Sequence, residues 1–374
     1  MTSATATITT TQPEEYDRRK ELQEFEDTKL GVKGLVDSGI TQIPRIFHRP
    51  PDADSLPESD PNEDPIPMID LSDPESDLAG RIRDAAAKFG FFQVVNHGIP
   101  VSLLDRLIAG VRDFHELPAP EKKGYYRRAP GVSFFSNVDL FLSKAATWRD
   151  TLQIRLSPNP VDPATIPDSC RITNAGIPGF GRDEVIEWDR EVRQLGERLL
   201  ALLSQGLGVD ANKLKDMSCS EGRLMVAHYY PYCPEPDKTL GIGCHSDPGL
   251  LTVLLQDQAG GLQVKHHHKW VEVKPVHGAL VINVGNLLQM ISNDQYTSAE
   301  HRVLANSHQE PRVSIAVFFN PSIRENLYGP LPESVSTEKP AIYRQFTYSE
   351  YITKFFTKEL DGKSILNYFR LHNE

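Results

Sequence analysis

His245-Ser246-Asp247-Pro248-Gly249-Leu250-Leu251-Thr252-Val253-Leu254-Leu255-Gln256 is the stretch from which the fold can be read. Its second half is a short apolar run, preceded by Pro-Gly and followed by Asp257, the length and setting of a buried strand. Comparable runs lie at 224–230, 261–265, 270–273, 279–284, 301–303 and 313–319, divided by Gly, Pro and Asn. Short strands at such spacing predict an antiparallel barrel or a double-sheet sandwich.

Upstream the period changes from two to 3.6. Amphipathic patterns predict helices over 14–30, 77–89, 102–117 and 183–207, with one more over 348–360. Short strands are expected at 67–71, 91–95 and from Trp148 to Leu152. Residues 48–67 are crowded with Pro, Asp, Glu and Ser and read as a linker, and 118–181 are broken by five prolines between Pro158 and Pro178. The class is therefore α+β with a mainly β core, a helical N-terminal region and a C-terminal helix.

The chain has 374 residues and a formal charge of −11, which argues against nucleic acid or an anionic membrane as partner. No apolar run reaches the roughly 18 residues of a bilayer span, and the N-terminus lacks the basic and apolar segments of a secretory signal. Cys170, Cys219, Cys233 and Cys244 show no paired spacing, as expected in a reducing compartment. A cytoplasmic monomer is the expectation.

On a strand, residues i and i+2 share a face, so His245 and Asp247 are expected to reach one ion while Ser246 points away. His301, at the head of a later strand, supplies a third donor. Two histidines and a carboxylate leave coordination positions open, the donor set of mononuclear non-haem Fe(II) centres. Arg312 and Ser314 share a strand face by the same period, and a guanidinium fork with a hydroxyl beside it suits one anionic end of a small acid. Taken singly, each histidine is as readily a core residue and Arg312 a structural cation. Their occurrence in order on expected strands favours the site.

Other residues carry less. His266-His267-His268 is expected at a solvated hairpin tip, Cys244 in packing, and His97 in a structural role. Phe134, Phe135 and Phe318 are candidates for a substrate wall or for ordinary core.

Several stretches together resemble the plant Fe(II)/2-oxoglutarate-dependent dioxygenases, in the branch of the 1-aminocyclopropane-1-carboxylate oxidase homologues. They include Gly90-Phe91-Phe92-Gln93-Val94-Val95-Asn96-His97-Gly98, Tyr229-Tyr230-Pro231, His245-Ser246-Asp247, Gly260-Gly261-Leu262-Gln263-Val264, Glu300-His301-Arg302-Val303 and Arg312-Val313-Ser314. The resemblance implies a double-stranded β-helix, a cupin-like jelly-roll. It divides the chain into a tail, first helix and linker (1–63), an N-terminal region (64–175), a support helix (176–215), the jelly-roll core (220–322) and a C-terminal helical region (323–374). It implies Fe(II) on His245, Asp247 and His301, and 2-oxoglutarate held by Arg312, Ser314 and the Tyr230 phenol, with ascorbate as reductant. His228 stands where much of the family has Asn.

The activity implied is hydroxylation, desaturation or demethylation of a small plant specialised metabolite by O2, releasing succinate and CO2. The alternatives weighed against it are an ascorbate-dependent 1-aminocyclopropane-1-carboxylate oxidase making ethylene, and a non-catalytic jelly-roll that binds small molecules.

Overall fold

Two short helices lead into the sheets. α1 (Arg18–Thr28) starts at Asp17, whose carboxylate accepts from the Lys20 amide at 3.0 Å, and α2 (Gly31–Asp37) follows directly. The computed structural model describes residues 16–50, 65–128, 131–160, 182–357 and 364–371. The expected tail, most of the linker and the prolines at 163, 167 and 178 lie outside them. Next come β1 (Met68–Asp70), α3 (Glu75–Lys88), β2 (Phe91–Val95), α4 (Val101–Glu116), α5 (Ala119–Lys123), β3 (Val132–Phe135) and β4 (Asp150–Ser157). The helix α6 (Arg182–Gly206) and the turn-length α7 (Lys213–Asp216) precede the main strands.

Those strands are β5 (Gly222–Tyr230), β6 (Leu240–His245), β7 (Leu251–Gln256), β8 (Leu262–His266), β9 (Lys269–Glu272) and β10 (Leu280–Val284). After α8 (Asn286–Ile291) come β11 (His301–Leu304) and β12 (Arg312–Asn320). The chain closes with β13 (Leu327–Tyr328), β14 (Phe346–Thr347), α9 (Tyr348–Phe356) and α10 (Ser364–Phe369).

An eight-stranded sheet runs β1-β2-β10-β7-β12-β5-β4-β3, and a four-stranded sheet runs β6-β11-β8-β9. Only the β1–β2 pairing is parallel among these ladders. This is the double-stranded β-helix the sequence resemblance implied. Period-two alternation sorts each central strand into two faces. Val313, Ile315, Val317 and Phe319 of β12 join Leu78, Ile82, Leu107 and Leu199 of α3, α4 and α6 in one large core. The opposite face looks across to the small sheet, where Tyr230 and Val281 pack with Ile242, Leu262, Val264 and Val303. Arg312 and Ser314 are on that inner face.

Most expected elements are found within a few residues of their expected limits. β6 was not anticipated as a strand, and α9 ends at Phe356, with 358–363 outside the described residues. One expectation is corrected. His245 is the last residue of β6, and Asp247 lies beyond it in the β6–β7 connection, so the two do not share a strand face. The connection turns there because it must pass from the small sheet to the large one within a few residues.

Candidate metal and co-substrate site

Two strands of the small sheet set the histidines. β11 pairs with β6 so that His301 lies directly opposite His245, with ring centroids 4.2 Å apart. His245 Nδ1 is 2.9 Å from the Gly243 carbonyl, and His301 Nδ1 is 3.2 Å from that of Ala299. A carbonyl only accepts, so each Nδ1 carries the proton and each Nε2 keeps its lone pair free. Both rings are thus tethered to the backbone two residues earlier. Phe91 of β2 presses edge-on against His301, centroids 5.0 Å apart.

The large sheet holds the carboxylate. Asp247 Oδ2 accepts from Thr252 Oγ1 at 2.6 Å and from Asn283 Nδ2 at 2.7 Å. That leaves Oδ1 facing the histidines, 3.6 Å from His245 Nε2 and 3.7 Å from His301 Nε2. One donor atom from each of the three residues lies within 4.8 Å of the others, and no other such cluster occurs among the described residues. The backbone is as closely set as the side chain. The Asn286 amide donates to the Asp247 carbonyl at 2.7 Å, and a Cβ on Gly285 would fall 2.1 Å from the Gly249 carbonyl oxygen.

Burial and the neighbouring His301 pull the His245 pKa down to about 4. Burial pushes Asp247 up, but the two histidines and the bonds from Thr252 and Asn283 outweigh it and hold the carboxyl below its usual range. Neutral imidazoles and an ionised carboxylate are the protonation states a divalent cation requires. The residues present therefore fit a metal.

The second half of the site is on β12, β7 and β5. Arg312 is buried, and among the described residues its guanidinium meets only neutral acceptors: the Gly260 carbonyl at 2.6 Å, Ser314 Oγ at 3.1 Å and Gln256 Oε1 at 3.0 Å. It also lies 4.8 Å over the Tyr230 ring, whose buried hydroxyl has no partner among the described residues. A buried cation and an unsatisfied phenol on one face fit an anion that would accept from both.

His228 of β5 sits directly opposite Ser314 of β12, and its Nδ1 is 3.1 Å from Thr151 Oγ1. Burial holds its imidazole far below the usual pKa, with Arg149 and Arg312 adding to the effect, although the residue as a whole is half-buried. Phe134 lies in the helix-side core, whereas Phe135 stands across from Thr151 and Phe318 across from Thr252, both on the site face. His267 and His268 are exposed at the β8–β9 turn with φ of 45° and 60°, and His97 is fixed by the Gly278 carbonyl and the Ile99 amide. Cys244 lies 3.8 Å from Glu300. Sequence reading missed Thr252, Asn283 and Gln256, which hold the site residues. Their only signal was a polar side chain on the inner face of an otherwise apolar strand.

The chain matches the family model of the 2OG-Fe(II) oxygenase superfamily over residues 221–321. It also matches that of the non-haem dioxygenase in morphine synthesis N-terminal region over 66–175. It is 46% identical to 1-aminocyclopropane-1-carboxylate oxidase homolog 3 of Arabidopsis thaliana, over 95% of this chain and 98% of the relative. Homolog 1 of the same plant is 47% identical, over 95% and 97%. Among solved structures, JOX2 in complex with 2OG, Fe and JA superposes with a TM-score of 0.80 at 31% identity, covering 91% of this chain and 98% of that one. The rice dioxygenase for auxin oxidation gives 0.67 at 26%, covering 82% and 100%.

Proposed function

The chain belongs to the 2OG-Fe(II) oxygenase superfamily, and from that premise we propose that it oxidises a small organic metabolite with O2 while 2-oxoglutarate is split to succinate and CO2. Hydroxylation is the outcome put first, with desaturation and demethylation open to the same site. His245, Asp247 and His301 would hold the Fe(II), and Arg312, Ser314 and Tyr230 the far carboxylate of 2-oxoglutarate. Ascorbate is the reductant of this reading. The observation that carries it is that the two sheets together present three metal-donor atoms and a buried guanidinium which, among the described residues, pairs with no acid.

Bound there, Fe(II) supplies the one-electron chemistry toward O2 that amino-acid side chains lack. The protein's own contribution is positional. The backbone tethers on both Nδ1 atoms fix tautomer and ring orientation, and the Thr252 and Asn283 bonds leave a single carboxylate oxygen to coordinate. Three neutral acceptors orient Arg312 beforehand, so little side-chain freedom is left to lose when an anion arrives. Phe91 packs edge-on against His301 and belongs to the apolar cluster that includes Val281 and Val303. The JOX2 structure holds JA and the rice protein is named for auxin oxidation, which supports a small organic molecule as the substrate class here.

The test is succinate release by the purified protein with Fe(II), ascorbate, 2-oxoglutarate and a panel of plant small molecules. Substrate-dependent succinate that is lost in His245→Ala and Arg312→Ala is expected. Ethylene from 1-aminocyclopropane-1-carboxylate without 2-oxoglutarate would overturn the reading.

A further inference from the structure

Arg149 stands one residue before β4. Continuing the β4–β5 register back by one position sets it opposite Tyr230, on the face that carries His228 and Ser314. Its side chain is 5% exposed. Nη1 donates to the Gly241 carbonyl at 3.0 Å and to the Thr147 hydroxyl. Among the described residues Nε has no partner, no acceptor meets Nη2 and no carboxylate pairs with the group. Nε and Nη2 form the side-on edge of a guanidinium, the edge that offers two parallel N–H groups to a carboxylate. Burial pulls the pKa of Arg149 down, yet a guanidinium remains charged in a protein.

Two acidic groups act on Arg149 at a distance without pairing with it: Asp139 lines the same cavity, and the Asp150 carboxylate is taken by the Val32 and Lys33 amides. Lys265 and Glu300 pair at 2.8 Å and neutralise each other. Among the described residues the Nε of Arg149 is left without an acceptor, and a buried charged donor calls for one. Arg149 also lines a cavity of about 380 Å³ with Thr147, Ile242, Gly243 and Cys244, the last of these the neighbour of His245. That volume suits a small organic ligand.

We propose that Arg149 binds the carboxylate of the organic substrate, so that the substrates of this enzyme are small organic acids carrying one anionic group. The proposal rests on the oxygenase reading of the neighbouring site. The bond is made by Nε and Nη2 of Arg149, while Nη1 stays on Gly241 and Thr147.

The experiment uses the protein loaded with Fe(II) and 2-oxoglutarate under nitrogen, titrated with 1-naphthylacetate and with its neutral isostere 1-naphthylacetamide. Binding is read by tryptophan fluorescence, and co-substrate occupancy by the visible absorption band of the iron complex. The acid is expected to bind at least about tenfold more tightly than the amide, as a charge-assisted pair implies. Arg149→Gln should abolish that preference while leaving 2-oxoglutarate affinity within about twofold, and Arg149→Lys should keep part of it. Equal binding of acid and amide, binding of neither, or a preference that survives in Arg149→Gln overturns the proposal. So does a loss of 2-oxoglutarate affinity in place of the preference, which would assign Arg149 to the co-substrate. An absent iron band in the wild type would instead sink the oxygenase reading, and the acid–amide comparison would still decide the role of Arg149.

Discussion

At the scale of single residues, the site works because each polar group has one committed side and one free side. Asp247 is the clearest case, with Oδ2 taken by Thr252 and Asn283. Replacing Asn283 by Ala releases half of that grip, and Fe(II) affinity is expected to fall by about 10- to 100-fold. A titration of the apo-protein with Fe(II) under nitrogen checks this, and an unchanged affinity would show that Thr252 alone suffices. Arg312 makes the same point by geometry. Lys in its place keeps the charge but loses the planar fork, so the KM for 2-oxoglutarate should rise by at least about tenfold with kcat much less affected. The ligands themselves were legible in the sequence, because histidine and aspartate at the head of strands are conspicuous. Their supports were not, since Thr252 and Asn283 meet Asp247 only through the β7–β10 pairing, whose register no local pattern states.

At the scale of elements, glycine explains what sequence reading missed. β6 includes Gly241 and Gly243, which depress strand propensity and mask the period of two. The fold needs the first of them. A Cβ on Gly241 would lie 2.8 Å from both the Tyr230 ring and the Leu304 carbonyl oxygen. The β7, β10 and β12 strands were legible because buried strands are plain apolar runs.

Helix α2 gives an element-scale prediction. Its Val32 and Lys33 amides donate to the Asp150 carboxylate at 2.7 and 2.8 Å, and burial pushes the Asp150 pKa up to about 6. Unfolded, the same group ionises near pH 3.9. Between these values the native state binds the extra proton, so this group's contribution is present in full at low pH. It is lost as pH rises through about 6, by on the order of 3 kcal/mol at most. Asp150→Asn should remove that slope. Urea denaturation of both proteins from pH 4 to pH 7 would show the wild type losing ground to the variant. A constant difference would mean that the carboxyl is ionised throughout.

At the scale of the molecule, the metal site is a rivet between two sheets. His245 and His301 belong to the small sheet, whereas Asp247 is gripped from β7 and β10 of the large one. A divalent ion bound by all three should stabilise the whole fold, by about 2.7 kcal/mol at a hundred times its Kd. Thermal melts with Fe(II) under nitrogen, and again after chelation, should differ by several degrees. The shift should vanish in Asp247→Ala. A shift that persists there would place the ion elsewhere.

The order of strands in the large sheet has a consequence for how such a chain can diversify. Residues that grip Asp247 and Arg312 come from β7, β10 and β12 in the interior of the sheet, while Arg149, Thr151 and Phe135 stand at or beside its outer strands β4 and β3. The central strands have at least two others on either side, whereas β3 is an edge with one neighbour and β4 lies one strand in from it. Mutations that retailor what the enzyme accepts can therefore accumulate at the rim without disturbing the engine, which makes substrate range and turnover separately heritable traits of one fold.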